Sequence, residues 1–278
     1  RHMDNGALNT LAYVADALRI YMRRIPHPQK EEVLCPIFNQ IGIERIMSHL
    51  CAVCEAQNGN RQAALVSLLG EFSTFRFPEN PYHWAAYKVG VFRILVSSSQ
   101  RPGDESVRAK AFRALGNYVA DDFGFIGPLI EAGIMPAMFM AFRREKRSVQ
   151  EQALYLLANM FVMCDDTRRH NMKFSGQAEV TMKTLLERER ILQFICPYID
   201  PTRPDPTRDA LDILLVALEW NAPAAMRTMA AGEEAGDRLH QLIPTIKGQA
   251  QTWLFNKIVR IEEFMNRAEG DGTADADD

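Results

Sequence analysis

Three stretches of this chain can be laid over one another: "VRAKAFRALGNYV" from Val107, "VQEQALYLLANMF" from Val149 and "IKGQAQTWLFNKI" from Ile246. Each carries a β-branched residue, Ala four places on, Leu four further, and Asn two beyond that. The triplets end at Asn117, Asn159 and Asn256. The spacing is helical, so the apolar members share one face and the Asn lies beside it near the helix end. A second landmark precedes the first. Gly42, Gly90 and Gly133 each stand before a β-branched residue that opens a helical pattern, 48 and 43 residues apart. Gly90 lies 27 residues before Asn117, and Gly133 lies 26 before Asn159. Two landmarks that keep step at a period near 42 residues indicate tandem units of helices rather than one closed core.

The rest of the chain agrees. Apolar residues recur at helical spacing nearly throughout, strand alternation is missing, and Gly and Pro fall between the periodic segments, as in "SSSQRPGDES" and "IDPTRPDPTRD". The expected fold class is all-α. Small Ala residues let helices approach closely while Val and Leu fill the seam, and a Gly between two helices permits a left-handed turn.

On these residues the sequence resembles the armadillo-repeat family, best over "FGFIGPLIEAGIMPAMFMAFRREKRSVQEQALYLLANMFV" (123–162). The resemblance implies a right-handed α-solenoid of about five armadillo-like units, some closer to HEAT hairpins. They are placed near 34–75, 87–122, 123–165, 188–229 and 236–267, with an insertion at 165–190. Residues 4–24 are expected to form an amphipathic helix capping the first unit. Residues 1–3 read as a cloning remnant, and 268–278 as an acidic, disordered tail.

In that family the third helix of each unit lines a concave groove, where its Asn clamps the backbone of an extended peptide. A carboxamide suits this, because it offers donors and an acceptor to one peptide unit. The resemblance therefore implies peptide-binding roles for Asn117, Asn159 and Asn256. Arg113 and Tyr155, one turn earlier on the first two helices, would act as selectors. Importin-α carries Trp at the matching positions and this chain does not, so a conventional nuclear localisation signal is not the expected ligand. Arg113 favours an acidic segment instead, nearer to the way β-catenin uses its groove. Glu71 and Glu219 stand where the first and fourth units would carry Asn and interrupt the ladder.

The alternative is an adaptor or chaperone cofactor that meets a folded partner through the solenoid edge. It would use the 165–190 insertion and a basic edge of Arg143, Arg144, Lys146, Arg147, Arg168 and Arg169. His49, Cys51 and Cys54 have a superficial metal spacing but no second ligand pair, so no metal or other cofactor is expected. No nucleophile elbow, phosphate-cradling loop or HExxH occurs, and the chain is not expected to be an enzyme. A net charge of −3 gives no general pull towards nucleic acid or membrane, and neither is expected as a partner. Five cysteines without a regular framework fit a reducing compartment, so the expected location is the cytoplasm, with the nucleus as a second site.

Overall fold

In the computed structural model, the described residues are 5–56, 59–74, 81–170, 174–188, 191–200, 202–230, 241, 243–244 and 252–271. Among them there is no strand. The chain divides into two compact units, Arg1–Leu156 and Leu157–Asp278.

The first unit holds α1 (Asn5–Arg24), α2 (His27–Ile41), α3 (Ile43–Ala56), α4 (Gly59–Glu71), α5 (Pro81–Lys88), α6 (Val91–Gln100), α7 (Glu105–Asp121), α8 (Ile126–Glu131) and α9 (Ile134–Arg144). It also holds the first part of α10 (Arg147–His170). After α1 the helices run in triplets: α2–α3–α4, α5–α6–α7 and α8–α9–α10. The turn glycines explain the triplets. Gly42, Gly90 and Gly133 stand between first and second helices with φ of 90°, 83° and 88°, a region costly for any residue with a Cβ. At the third of these turns the chain bends by 79° between Phe123–Glu131 and Ile134–Arg144. Among the described residues no single helix is long and apolar enough to cross a membrane.

The third helices pack on one another. The most extensive helix pair is α4 with α7, followed by α1 with α4, so α1 covers the free side of the first third helix as a capping helix should. Its outward face is less polar than an amphipathic cap suggests, since Tyr13, Val14 and Tyr21 remain exposed. Two glycines explain how closely the third helices approach. A Cβ added at Gly70 would stand 2.7 Å from the Cβ of Ala114 and 3.1 Å from its Cα. One added at Gly116 would stand 2.7 Å from the Tyr155 ring. Each glycine directly precedes a ladder position, Glu71 or Asn117.

The end of α4 is fixed by side chains. The last carbonyls of a helix have no intrahelical partner. Here Tyr118 Oη donates to Leu69 O (2.7 Å), Ser73 Oγ to Gly70 O (2.6 Å) and Thr74 Oγ1 to Glu71 O (2.7 Å). Asp104 caps the start of α7, accepting from Val107 N at 3.0 Å. Burial of Tyr118, Phe112, Phe125 and His83 closes the core behind these helices, with the His83 ring 5.2 Å from Tyr118 and 5.7 Å from Phe125.

The second unit holds the rest of α10, then α11 (Ser175–Lys183), a π-helical stretch Thr184–Arg188, short 3₁₀ turns, α12 (Pro204–Ala230) and α13 (Thr252–Asp271). Part of the 165–190 segment is packed into this unit. Its first residues extend α10 to His170. Beyond α11, Leu185 and Leu186 are fully buried, as are Ala178 and Met182, and the π stretch packs on α12. α12 breaks at Asn221 (φ −158°, ψ 86°), two residues before Pro223, and Asn221 Oδ1 accepts from Ala224 N at 3.1 Å to restart the helix. Residues 1–3, the stretches 236–240, 242 and 245–251 of the fifth unit, and 272–278 of the acidic tail lie outside the described residues, while 268–271 continue α13 rather than opening a disordered tail.

Candidate functional site

The ladder positions of the first unit, Glu71 and Asn117, open on one pocket of about 520 Å³. It is set between α1, α4 and α7, and its polar lining is Arg23, Ser67, Glu71, Thr74, Lys110, Arg113 and Asn117. Gly70 and Ala114 form its floor, so the close helix approach leaves the longer side chains standing around it.

Each of these side chains has a definite setting. Glu71, at the position where the frame expects Asn, is nearly buried and accepts a hydrogen bond from Arg23 Nε at 2.5 Å. The capping helix therefore neutralises the first break in the ladder. Asn117 is half-buried, and its Oδ1 accepts from Tyr155 Oη at 3.0 Å. Two residues expected to face a peptide are thus bonded to each other. That bond fixes the carboxamide and leaves its N–H donors for other partners. Arg113 is exposed one turn before Asn117. Lys110 lies further back on α7 and had no place in the sequence pattern. It is half-buried, and its pKa is pushed down by burial first and then by Arg19 and Arg23, with Asp16 and Asp104 opposing.

In the second unit the ladder residue Asn159 is half-buried on α10. Glu219, at the fourth unit's ladder position, takes ion pairs from both Arg169 and Arg260. This break is neutralised as the first one is. Asn256 is exposed near the start of α13. Phe255 beside it is exposed too, while the side chains of Thr252, Trp253 and Leu254 lie outside the described residues.

The basic edge is largely occupied internally. Lys146 pairs with Glu105 at 2.8 Å and Arg147 with Glu151 at 3.1 Å. Arg168 and Arg169 both reach Asp165, at 2.9 and 2.8 Å. Arg144 is exposed and Arg143 has contacts of its own. The cysteine pair on α3 is core. Cys51 and Cys54 are buried and free, and burial pushes both thiols up to about 12, away from the thiolate that a metal requires. His49 Nδ1 lies 2.7 Å from Arg45 O. No group of three metal-ligating side chains occurs among the described residues.

Sequence reasoning missed Lys110, Arg23, Gly70 and Gly116. The glycines carried a signal, since each directly precedes a ladder position. The two cations did not, because a third helix and a capping helix 87 residues apart in sequence have to pack before they share a pocket.

No family profile and no curated protein matches this sequence. Solved structures do. A computationally designed armadillo repeat protein for modular peptide recognition is similar over 93% of this chain and 92% of its own, with a TM-score of 0.61 at 16% identity. An engineered protein matches over 95% and 93%, with a TM-score of 0.63 at 18% identity. A designed armadillo repeat protein in complex with the peptide (KR)4 matches over 89% and 98%, with a TM-score of 0.56 at 16% identity. The chain has an armadillo-like, all-α repeat fold.

Proposed function

We propose that this chain is a protein-interaction scaffold that holds an extended peptide segment of a partner along its third helices. The observation that carries this reading is the Asn117 carboxamide. Its acceptor is fixed by the Tyr155 hydroxyl, and it stands at the rim of a polar pocket beside the exposed Arg113. A fixed carboxamide can donate to a peptide carbonyl without losing much rotamer freedom on binding. Asn159 would repeat the contact from α10, and Asn256 from α13. Two of the similar structures support peptide recognition as the use of this fold, one designed for it and one holding (KR)4. That peptide is basic. Here Arg113 and Lys110 favour the opposite charge, so the segment proposed is acidic and not a nuclear localisation signal.

The edge-binding adaptor is the weaker reading, because Lys146, Arg147, Arg168 and Arg169 already pair with this chain's own carboxylates. Catalysis forms no part of the proposal.

The test is a degenerate library of ten-residue peptides, in normal and backbone N-methylated forms, presented to the wild type, Asn117→Ala and Asn159→Ala. Losing one well-made hydrogen bond to the peptide should weaken retention about tenfold, or about 1.4 kcal/mol. N-methylation leaves the carbonyls to which Asn117 donates, so the Asn117-dependent part of the retention should survive it. Equal retention by wild type and both variants would overturn the reading.

A further inference from the structure

The pocket between α1, α4 and α7 has more positive charge than it uses. Arg23 answers Glu71 at 2.5 Å, and among the described residues Lys110 and Arg113 make no ion pair. The lining thus carries three cations against one carboxylate, an excess of two. Holding an ammonium group half out of water without a counter-ion is unfavourable. The depressed pKa of Lys110 agrees with this, since burial and then Arg19 and Arg23 push it down against the smaller opposing pull of Asp16 and Asp104, neither of which pairs with it. The hydrogen-bonding groups are also one-sided. Asn117 has its oxygen occupied by Tyr155 and presents N–H donors, Lys110 and Arg113 can only donate, and Ser67 adds a hydroxyl. A cavity of about 520 Å³ whose lining sets three cations and the Asn117 donors against the one paired carboxylate of Glu71 calls for a ligand rich in acceptors and carrying about two negative charges.

We propose that this pocket receives the phosphorylated side chain of a serine or threonine in the bound peptide, with Lys110 and Arg113 holding its phosphoryl oxygens and Asn117 donating beside them. The proposal rests on the peptide-binding reading above and adds the chemistry of one residue in the ligand. A phosphoryl group brings about −1.5 to −2 charges and three acceptor oxygens, which matches the surplus. A single carboxylate would leave one cation unanswered. Arginine can grip two of the oxygens at once, and the lysine acts as a point charge. Glu71 does not repel the group outright, because Arg23 already screens it.

Immobilised protein would be presented with three degenerate ten-residue libraries whose fixed central residue is phosphoserine, glutamate or serine. Expected is retention of the phosphoserine library at least about tenfold above the other two, the value of one to two charge-assisted hydrogen bonds. Lys110→Gln and Arg113→Gln should each bring the phosphoserine-to-serine ratio close to one. Arg113 is exposed, so that variant keeps its fold even if the buried site on α7 tolerates change poorly. A peptide-free measurement runs beside it. Inorganic phosphate should raise the melting temperature of the wild type above that in sodium chloride of equal ionic strength, and should not do so in Lys110→Gln.

The outcomes separate cleanly. If the serine library is retained in an Asn117-dependent way and phosphoserine is held no better, the phosphoryl pocket is wrong while the peptide groove stands. Glutamate held as well as phosphoserine also overturns it, leaving a site for any anion. If no library is retained, the groove reading fails and this proposal falls with it.

Discussion

Exchanging the two small residues that face each other across α4 and α7 should be nearly neutral, although each change alone is damaging. In Gly70→Ala the new Cβ would sit 2.7 Å from the Ala114 Cβ and 3.1 Å from the Ala114 Cα, which is backbone and has no rotamer to yield. Overpacking of this kind costs about 1–3 kcal/mol, while replacing a helical Gly with Ala returns about 1 kcal/mol. The net loss should be about 0–2 kcal/mol. Ala114→Gly removes a buried methyl worth about 0.8 kcal/mol and adds about 1 kcal/mol of helix penalty, again a loss of about 2 kcal/mol. In the double variant the propensity terms cancel and the 2.7 Å Cβ–Cβ clash is gone, while the 3.1 Å approach to the Cα of residue 114 remains, so stability should lie within about 1 kcal/mol of wild type. The coupling energy is then about 1–4 kcal/mol and favourable. Urea unfolding followed by circular dichroism on the four proteins measures it. Additive losses, with the double variant about 2–4 kcal/mol below wild type, would refute the claim that close approach of the third helices is what requires a glycine before the ladder position.

Other perturbations test the supports of the site and the chemistry of the second unit. Tyr118→Phe leaves the Leu69 carbonyl without its 2.7 Å partner in a fully buried place, and should cost about 1–2 kcal/mol in the same urea assay. Asp209 is buried on α12, and burial lifts its carboxyl to about 6 against an opposing pull from Arg208. The folded state therefore binds the proton more tightly than the unfolded state does. Stability from this group should fall as pH rises from about 4 to about 6 and stay level above, a change on the order of 3 kcal/mol that Asp209→Asn removes. Melting curves across that range decide it. Cys51, Cys54 and Cys164 are buried with thiols raised to about 12, and Cys196 is buried as well, so iodoacetamide on the native protein should mark Cys35 alone. Mass spectrometry should find all five cysteines modified after unfolding.

What could be read from sequence follows from what is local. A left-handed turn admits little but glycine, so Gly42, Gly90 and Gly133 announced the breaks between first and second helices, and the structure places all three at positive φ. The helical frame ending at Asn117 and Asn159 is likewise local, being one face of one helix. The contents of the pocket are not local. Arg23 meets Glu71 across 48 residues, and Tyr155 reaches Asn117 across 38. Tyr155 looked like a selector for Asn159 because it precedes it by one turn on α10. Its hydroxyl instead goes to the previous third helix. Residues 165–190 looked like an insertion because they lack the repeat pattern. The burial of Leu185 and Leu186 within them goes with packing of the π-helical stretch on α12, which the repeat frame does not encode.

The two glutamates at ladder positions bear on how far a bound segment could run. Each is neutralised by arginine from another helix, Glu71 by Arg23 of the cap and Glu219 by Arg169 and Arg260. A carboxylate has no donors, so it cannot offer a peptide carbonyl the N–H that a carboxamide offers. The glutamate positions therefore cannot repeat the contact proposed for Asn117, unless the glutamate is changed. Glu71→Gln keeps the length of the side chain, supplies the missing donors and frees Arg23 for the pocket. Because Arg23 is about half exposed, losing its pair should cost stability only about 1 kcal/mol. Binding should respond more strongly. The pocket's surplus rises from two positive charges to three, and retention of phosphoserine peptides should increase about threefold to tenfold, while neutral peptides gain less. A pocket whose lining is merely a solvated helix junction predicts no change in either. Weaker phosphoserine retention in Glu71→Gln would mean that Glu71 and Arg23 act together as a positioning pair, and that the donors proposed here are aimed elsewhere.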